Sequence, residues 1–279
     1  MAAMPATIAF VLLFLVPVGA FAAYSFMTAE LFSASGPLTL DNYRDVLSSD
    51  TTWTLAGNSL FVGAWTAALC VLIGLPIAYF LRFCAGRYQL PILALFVIAM
   101  FASYLVRIYA WRTILGERGL INQGLTELGL TNSPLELFLY SRTAVVIALV
   151  HIMLPYVVLV LFAGFRFLPG GLLEAAQDLG AGTVQRWRRV ILPAIVAPAA
   201  SAFLFVFVLA AADYVTPQFL GGSGDAMLGV KIEQDVTAVG NWPRAAATAF
   251  LMVIGFILIA GIVSAGLRLR NRGRYEAVT

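Results

Sequence analysis

A chain of 279 residues with 61% hydrophobic and only 11% charged side chains is excluded from the ordinary soluble class, in which about a quarter of residues are charged. A mean hydropathy of +0.92 points instead to a polytopic membrane protein. The pI of 9.0 comes from arginines at the edges of apolar runs, with Lys231 the one lysine, so it does not indicate nucleic-acid binding. One histidine excludes a His-based metal cluster, and Cys70 and Cys84 are expected as reduced thiols without a disulfide.

Crossing a bilayer takes about 20 helical residues. Six apolar runs meet that length: 6–28, 57–81, 89–111, 143–168, 194–217 and 244–267. They predict an all-α membrane protein with six transmembrane helices in one domain over 1–279. Ala20-Phe21-Ala22 imitates a signal-peptide cleavage site, but no basic segment precedes the long apolar stretch, so the first run is read as a span.

Arginine placement orients the chain. With the amino terminus inside, one face holds ten arginines against Glu174, Asp178 and Glu276, and the other holds seven basic residues against eleven acids. The reverse orientation puts the basic excess outside. Both termini and the segment 169–193 are therefore expected in the cytoplasm.

In the first outer loop, Leu40-Asp41-Asn42-Tyr43 and Val46-Leu47 predict a short helix lying on the outer surface. Arg82 and Arg87 anchor span ends. At the end of the third run, Tyr104, Tyr109 and Trp111 suit the headgroup level. The stretch 119–135, broken by Gly124, Gly129 and Pro134, predicts a pair of short re-entrant or interfacial helices. His151 in the fourth run has no carboxylate near it in sequence. It is read as a hydrogen-bonded structural residue rather than a proton relay. Pro155 is expected to kink its helix.

Pro169-Gly170-Gly171 ends the fourth run. Leu172, Leu173, Ala176 and Leu179 then recur at helical spacing and predict a short amphipathic helix. Glu174 and Asp178 lie one turn apart, expected early in that helix, where its dipole favours acids. Gly180 and Gly182 stop it, Gly180 with an expected positive φ. Thr183 is placed to cap a second short helix carrying Arg186, Arg188 and Arg189, and Leu192-Pro193 opens the next span. The result is a helix–turn–helix elbow between two spans.

Asp213 follows Pro193 by about 28 Å of helix, which places it near the outer interface. Arg107 lies at a similar depth on the third run, and the equal depth predicts an Asp213–Arg107 pair. Lys231, Glu233 and Asp235 are expected on a short helix in the last outer loop, before Asn241-Trp242-Pro243. The arginines of 268–274 anchor the tail. There is no G-x-x-x-x-G-K-[ST], G-x-S-x-G or H-E-x-x-H, so a P-loop ATPase and the common hydrolase sites are excluded. Neither a repeat nor midplane acids of the secondary-transporter kind are present.

The order Glu174-Ala175-Ala176, three residues, Gly180 and then Leu192-Pro193 resembles the cytoplasmic EAA loop of permease subunits from binding-protein-dependent ABC importers. Val190 stands where that pattern usually has isoleucine. The resemblance implies a type I ABC importer permease fold in a bacterial inner membrane. It also implies a coupling role for Glu174, Ala175, Ala176, Asp178, Gly180, Leu192 and Pro193 against a separate ATPase. The chain itself is then no enzyme and holds no cofactor, ATP and Mg being bound by two partner ATPase subunits. A second, different permease chain and a periplasmic or extracellular solute-binding protein complete the assembly, which touches membrane lipid and no nucleic acid.

Tyr104-Leu105-Val106-Arg107 with Tyr109-Ala110-Trp111, the run from Asp213-Tyr214-Val215-Thr216-Pro217 to Gly221-Gly222, and Asn241-Trp242-Pro243 look like the spermidine/putrescine branch of that family. The resemblance makes Asp213, Tyr214, Arg107, Tyr104, Tyr109 and Trp242 candidates for the solute path or outer gate. It extends equally to importers of opines, iron, aminobutyrate-like and aminophosphonate solutes.

Overall fold

The computed structural model describes residues 4–30, 33–116, 119–131 and 140–276. Helix dominates because backbone amides in an apolar surrounding must be bonded within their own segment. Helix α1 (Met4–Phe10), a π-helical turn (Val11–Leu15) and α2 (Val16–Tyr24) make the first apolar rod. A hairpin of β1 (Thr28–Glu30) and β2 (Ser33–Ser35) follows, antiparallel with Ala29 opposite Ala34. Next come α3 (Asp41–Ser48), α4 (Asp50–Phe83), α5 (Gln89–Met100), α6 (Tyr104–Leu115), α7 (Leu120–Glu127) and α8 (Arg142–Arg166). Helices α9 (Gly170–Asp178) and α10 (Thr183–Arg186), a second π-helical turn (Trp187–Ile191), and α11 (Leu192–Ala211) form the middle of the chain. It finishes with α12 (Val215–Leu220), α13 (Leu228–Thr237) and α14 (Trp242–Glu276). Five helices among the described residues are long and apolar enough to cross a membrane, and a sixth crossing results if the bent α5–α6 path counts as one.

Three rods, α4, α8 and α11, build the core. Ala67, Cys70 and Leu81 of α4 meet Leu149, Ile152, Val157 and Leu161 of α8, and α11 adds Ala202 and Val206. Lipid tails are as apolar as leucine, so membrane helices associate by close packing at small residues rather than by expelling water. Here Gly63 lets α4 approach α11: a Cβ would sit 2.8 Å from the Ala211 methyl and 3.0 Å from the Phe207 carbonyl. Gly164 of α8 does the same against Pro198, whose Cβ would lie 2.6 Å away. The outer rods are the reverse case. Leu13 on the first rod is 80% exposed and Ile262 on α14 is 73% exposed, side chains that suit a hydrocarbon surround.

The end of the core rods that carries α9–α10 is the elbow end, and the opposite one, where α11 gives way to α12, is the distal end. Cap chemistry fixes several of their boundaries. The Ser49 hydroxyl accepts from the Thr52 amide at the start of α4, and Ser141 does the same for the Ala144 amide at the start of α8. The expected surface helix is α3, tied to the end of α2 by the Asn42 amide, which donates to the Ser25 and Met27 carbonyls at 3.0 and 2.8 Å.

Three helix boundaries differ from the sequence reading. The apolar run 89–111 is not one helix: after Met100 the path turns through 92°, because Ser103 at φ −54° and ψ 134° is extended. The helix of the run 194–217 stops at Ala211 and restarts as α12. Helix α9 runs from Gly170 to Asp178 with no acid in its first turn, so Glu174 stands mid-helix and Asp178 is the last residue, neither of them early as expected. Of the two short helices expected over 119–135, one is α7; residues 132–135 lie outside the described segments. Because Gly164 meets Pro198 with no slack, Gly164→Val should separate α8 from α11. Overpacking of this kind costs about 1–3 kcal/mol, to be read as a lower thermal midpoint of the purified protein in detergent.

Candidate functional site

The elbow begins where the extended Pro169 (ψ 129°) ends the turn after α8 and releases α9. Helix α9 closes with both hydrogen bonds of a Schellman motif: the Gly180 amide donates to the Gln177 carbonyl and the Ala181 amide to the Ala176 carbonyl, each at 2.9 Å. Gly180 has φ +76°, in the left-handed region that a side chain penalises. Thr183 is not the cap of α10. Gly182 occupies that position without a side-chain bond, and α10 runs through the π turn into α11 instead of ending as a separate short helix. The Arg186 guanidinium bridges the two arms by donating to the Gln177 side-chain carbonyl at 3.1 Å.

One side of the elbow is bound to the core, and the other is bare. Leu173 and Trp187 pack on the core. The Trp187 ring lies 4.9 Å from that of Tyr79, which in turn contacts Phe83 and Phe165. This aromatic cluster joins the elbow to the ends of α4 and α8. On the free side, Leu179 is 88% exposed, and Leu172, Glu174, Ala175, Asp178 and Val184 are also exposed. Pro193 is half-buried and Leu192 exposed at the start of α11.

At the distal end, the break between α11 and α12 brings Tyr104, Asp213 and Thr216 together. The Thr216 amide, left without a helical partner at the start of α12, donates to the Asp213 carboxylate at 3.0 Å. The Thr216 and Tyr104 hydroxyls are 2.9 Å apart, and the Tyr104 hydroxyl also reaches the Asp213 side chain. The Tyr109 ring meets Phe219 at 5.3 Å. Arg107 does not pair with Asp213: its guanidinium donates to the Ala102 carbonyl at 3.0 Å, which the break after α5 has left free. Tyr214 and Trp242 are 44% and 39% exposed and are not drawn into the hydrogen-bonded group. His151 is a hydrogen-bonded residue: the Trp111 indole donates to its Nδ1 at 3.1 Å.

Around α13, two acids are held in direct ion pairs. Asp235, buried on α13, accepts from Lys231 at 3.1 Å and from Arg244 at 2.6 Å, and Arg142 pairs with Asp225 at 2.6 Å. The Asn58 amide of α4 donates to the Gly224 and Ala226 carbonyls, and the Ser59 hydroxyl accepts from the Leu228 amide, so α4 pins the loop before α13. Sequence reasoning missed Thr216, Asn58, Ser59 and Tyr79. The Asp213 bond to the Thr216 amide carried a signal in retrospect, as an aspartate three residues before a backbone amide at a helix start.

Residues 88–270 match the model of the family described as binding-protein-dependent transport system inner membrane component. The chain is 31% identical over 239 residues, 85% of its length and 82% of the relative's, to the spermidine/putrescine transport system permease protein PotB of Haemophilus influenzae. It is 29% identical over 234 residues to the Escherichia coli protein of the same name, covering 84% of each chain. In fold it is similar to a bacterial ABC transporter involved in the import of the acidic polysaccharide alginate, with a TM-score of 0.74 over 95% of this chain and 92% of that one, at 17% identity.

The contact between Tyr104 and Thr216 ties α6 to α12. Tyr104→Phe should cost about 0.5–1.5 kcal/mol, the net worth of one hydrogen bond. A double-mutant cycle with Thr216→Val, followed by unfolding in detergent, should return a coupling energy of that order. Additive effects would show that the two hydroxyls do not interact.

Proposed function

The chain belongs to the family of binding-protein-dependent transport system inner membrane components, and from that premise we propose that it is one of two permease subunits of an ATP-driven polyamine importer. It is a multi-pass inner-membrane transport subunit of the ABC importer class and not itself an ATPase. The partners in this reading are a second permease chain, two ATPase subunits holding ATP and Mg, and a periplasmic binding protein. One of the similar solved assemblies contains an alginate-bound periplasmic protein. Arginine bias supports cytoplasmic termini and a cytoplasmic elbow, with the distal end toward the periplasm.

The observation that carries the reading is the two-sided elbow. Its free face offers Leu172, Leu179, Ala175 and Val184 to a partner, and its other face is bonded through Trp187 to Tyr79 and Phe165. A push on the free face by a closing ATPase pair is delivered to α4, α8 and α11 together. Those three rods form the core, so the distal ends move with them. That motion opens or closes the space beside Tyr104, Asp213 and Thr216. Glu174 and Asp178 are exposed, as residues in such a joint need to be.

Polyamines are the cargo supported by the curated relatives and by the chemistry of the distal end. A carboxylate at Asp213 lies beside Tyr104 and next in sequence to Tyr214, and tyrosine faces attract cations by about 0.5–2 kcal/mol each. Gly180→Val should leave the protein in the membrane and assembled, while abolishing solute-stimulated ATP hydrolysis by the complex. Retained full transport would refute the coupling role. Uptake in vesicles holding the full complex and its binding protein should occur for labelled spermidine or putrescine. Import of an amino-acid-like or phosphonate solute with no polyamine uptake or competition would overturn the cargo while leaving the importer.

A further inference from the structure

The bend between α5 and α6 opens a groove of about 490 Å³ against α8. Its walls are apolar, with Ile92, Leu95, Phe96 and Leu154 among them, and two polar side chains line it, Arg107 and His151. His151 lies nine residues and Pro155 thirteen residues past Arg142, about 14 and 20 Å along α8, so the groove reaches well into the membrane-crossing part of the rod. Both polar groups present donors. The Trp111 indole donates to His151 Nδ1, which in the neutral ring puts the proton on Nε2. Arg107 has no acceptor and gives one bond to the Ala102 carbonyl, while its buried Nε has no hydrogen-bond partner. The ion pairs among the described residues do not include Arg107.

A guanidinium at this depth with no acid partner among the described residues invites an acceptor, since charges within a membrane persist by pairing. We propose that the groove seats a carboxylate borne by a membrane-spanning helix of the second permease subunit, held by Arg107 and His151. The inference rests on the reading of a two-permease polyamine importer. A polyamine brings only ammonium donors and has nothing to offer Arg107. A phospholipid phosphate stays at headgroup level, above the depth of Leu154 and Pro155. A helix with apolar neighbours around one acid matches apolar walls around one guanidinium, and a charge-assisted bond in that setting is among the stronger kinds.

The test is photo-crosslinking in membranes from a benzophenone amino acid placed at Leu154 of the full complex. The expected product joins this chain to the second permease, at a peptide containing Asp or Glu. Arg107→Gln should abolish the adduct with the subunits still co-purifying at the wild-type ratio, and Arg107→Lys should retain it. Arg107→Glu should regain it when the mapped acid is changed to arginine. An adduct to lipid alone, one displaced by saturating spermidine, one mapped to a peptide without an acid, or one unchanged in Arg107→Gln overturns the proposal. Labelled polyamine uptake by the unsubstituted complex is measured alongside. If that uptake fails while the acid-bearing adduct forms, the cargo reading falls and the seat for the carboxylate stands.

Discussion

Backbone amides that leave a helix inside an apolar medium must find a partner at once, because no water is there to take them. Four interruptions among the described residues have a local acceptor or donor, the first two of them within the apolar runs. Arg107 reaches back to the Ala102 carbonyl where α5 stops. Asp213 takes the Thr216 amide where α11 gives way to α12. Gly180 closes α9 through its own carbonyls, and Asn58 satisfies two carbonyls of the loop that leads into α13. The functional candidates are thus tied to these interruptions: Tyr104, Arg107 and Asp213 at two of them, the elbow residues at a third.

The same constraint explains what the sequence made legible. Long apolar runs and their arginine-rich ends are written in composition, so the helical membrane architecture could be read directly. Gly180 was legible too, because a glycine following an amphipathic turn has few other uses, and its φ of +76° agrees. The break after Met100 was not, since Phe101-Ala102-Ser103 contains neither glycine nor proline to announce it. Missing it led to the wrong partner for Arg107. Equal depth on two straight rods suggested Asp213, whereas the bend turns the guanidinium toward the Ala102 carbonyl and leaves Asp213 to Thr216. Asp178 was misplaced for a smaller reason. The helix expected from Leu172 and stopped by Gly180 was already too short for Asp178 to be early, and its start at Gly170 moves Glu174 out of the first turn as well.

Association of the rods depends on surfaces without side chains. Gly63 and Gly164 bring α4 and α8 each into contact with α11 at distances a methyl group would violate, and α11 continues without a gap into the elbow. Motion at the elbow therefore has little slack to absorb it before it reaches the core. The aromatic group of Tyr79, Phe83, Phe165 and Trp187 adds a second attachment, on different rods, so the elbow is held at two points instead of hinging on one.

The ion pairs of the distal end shape the field that an approaching ion meets. Within 222–244, counted with Arg142, three basic and three acidic residues balance, and Asp225 and Asp235 are each in direct contact with a cation. Contact pairs act at range as dipoles, whose potential decays faster than that of a single charge. Across the same face, Asp41, Asp45 and Asp50 are exposed and opposed in sequence by Arg44 alone. The long-range potential is therefore lopsided, negative on the α3 side and near neutral over α13. With a screening length of about 8 Å in physiological salt, the pull on a mobile cation at this end is strongest at the rim beside α3.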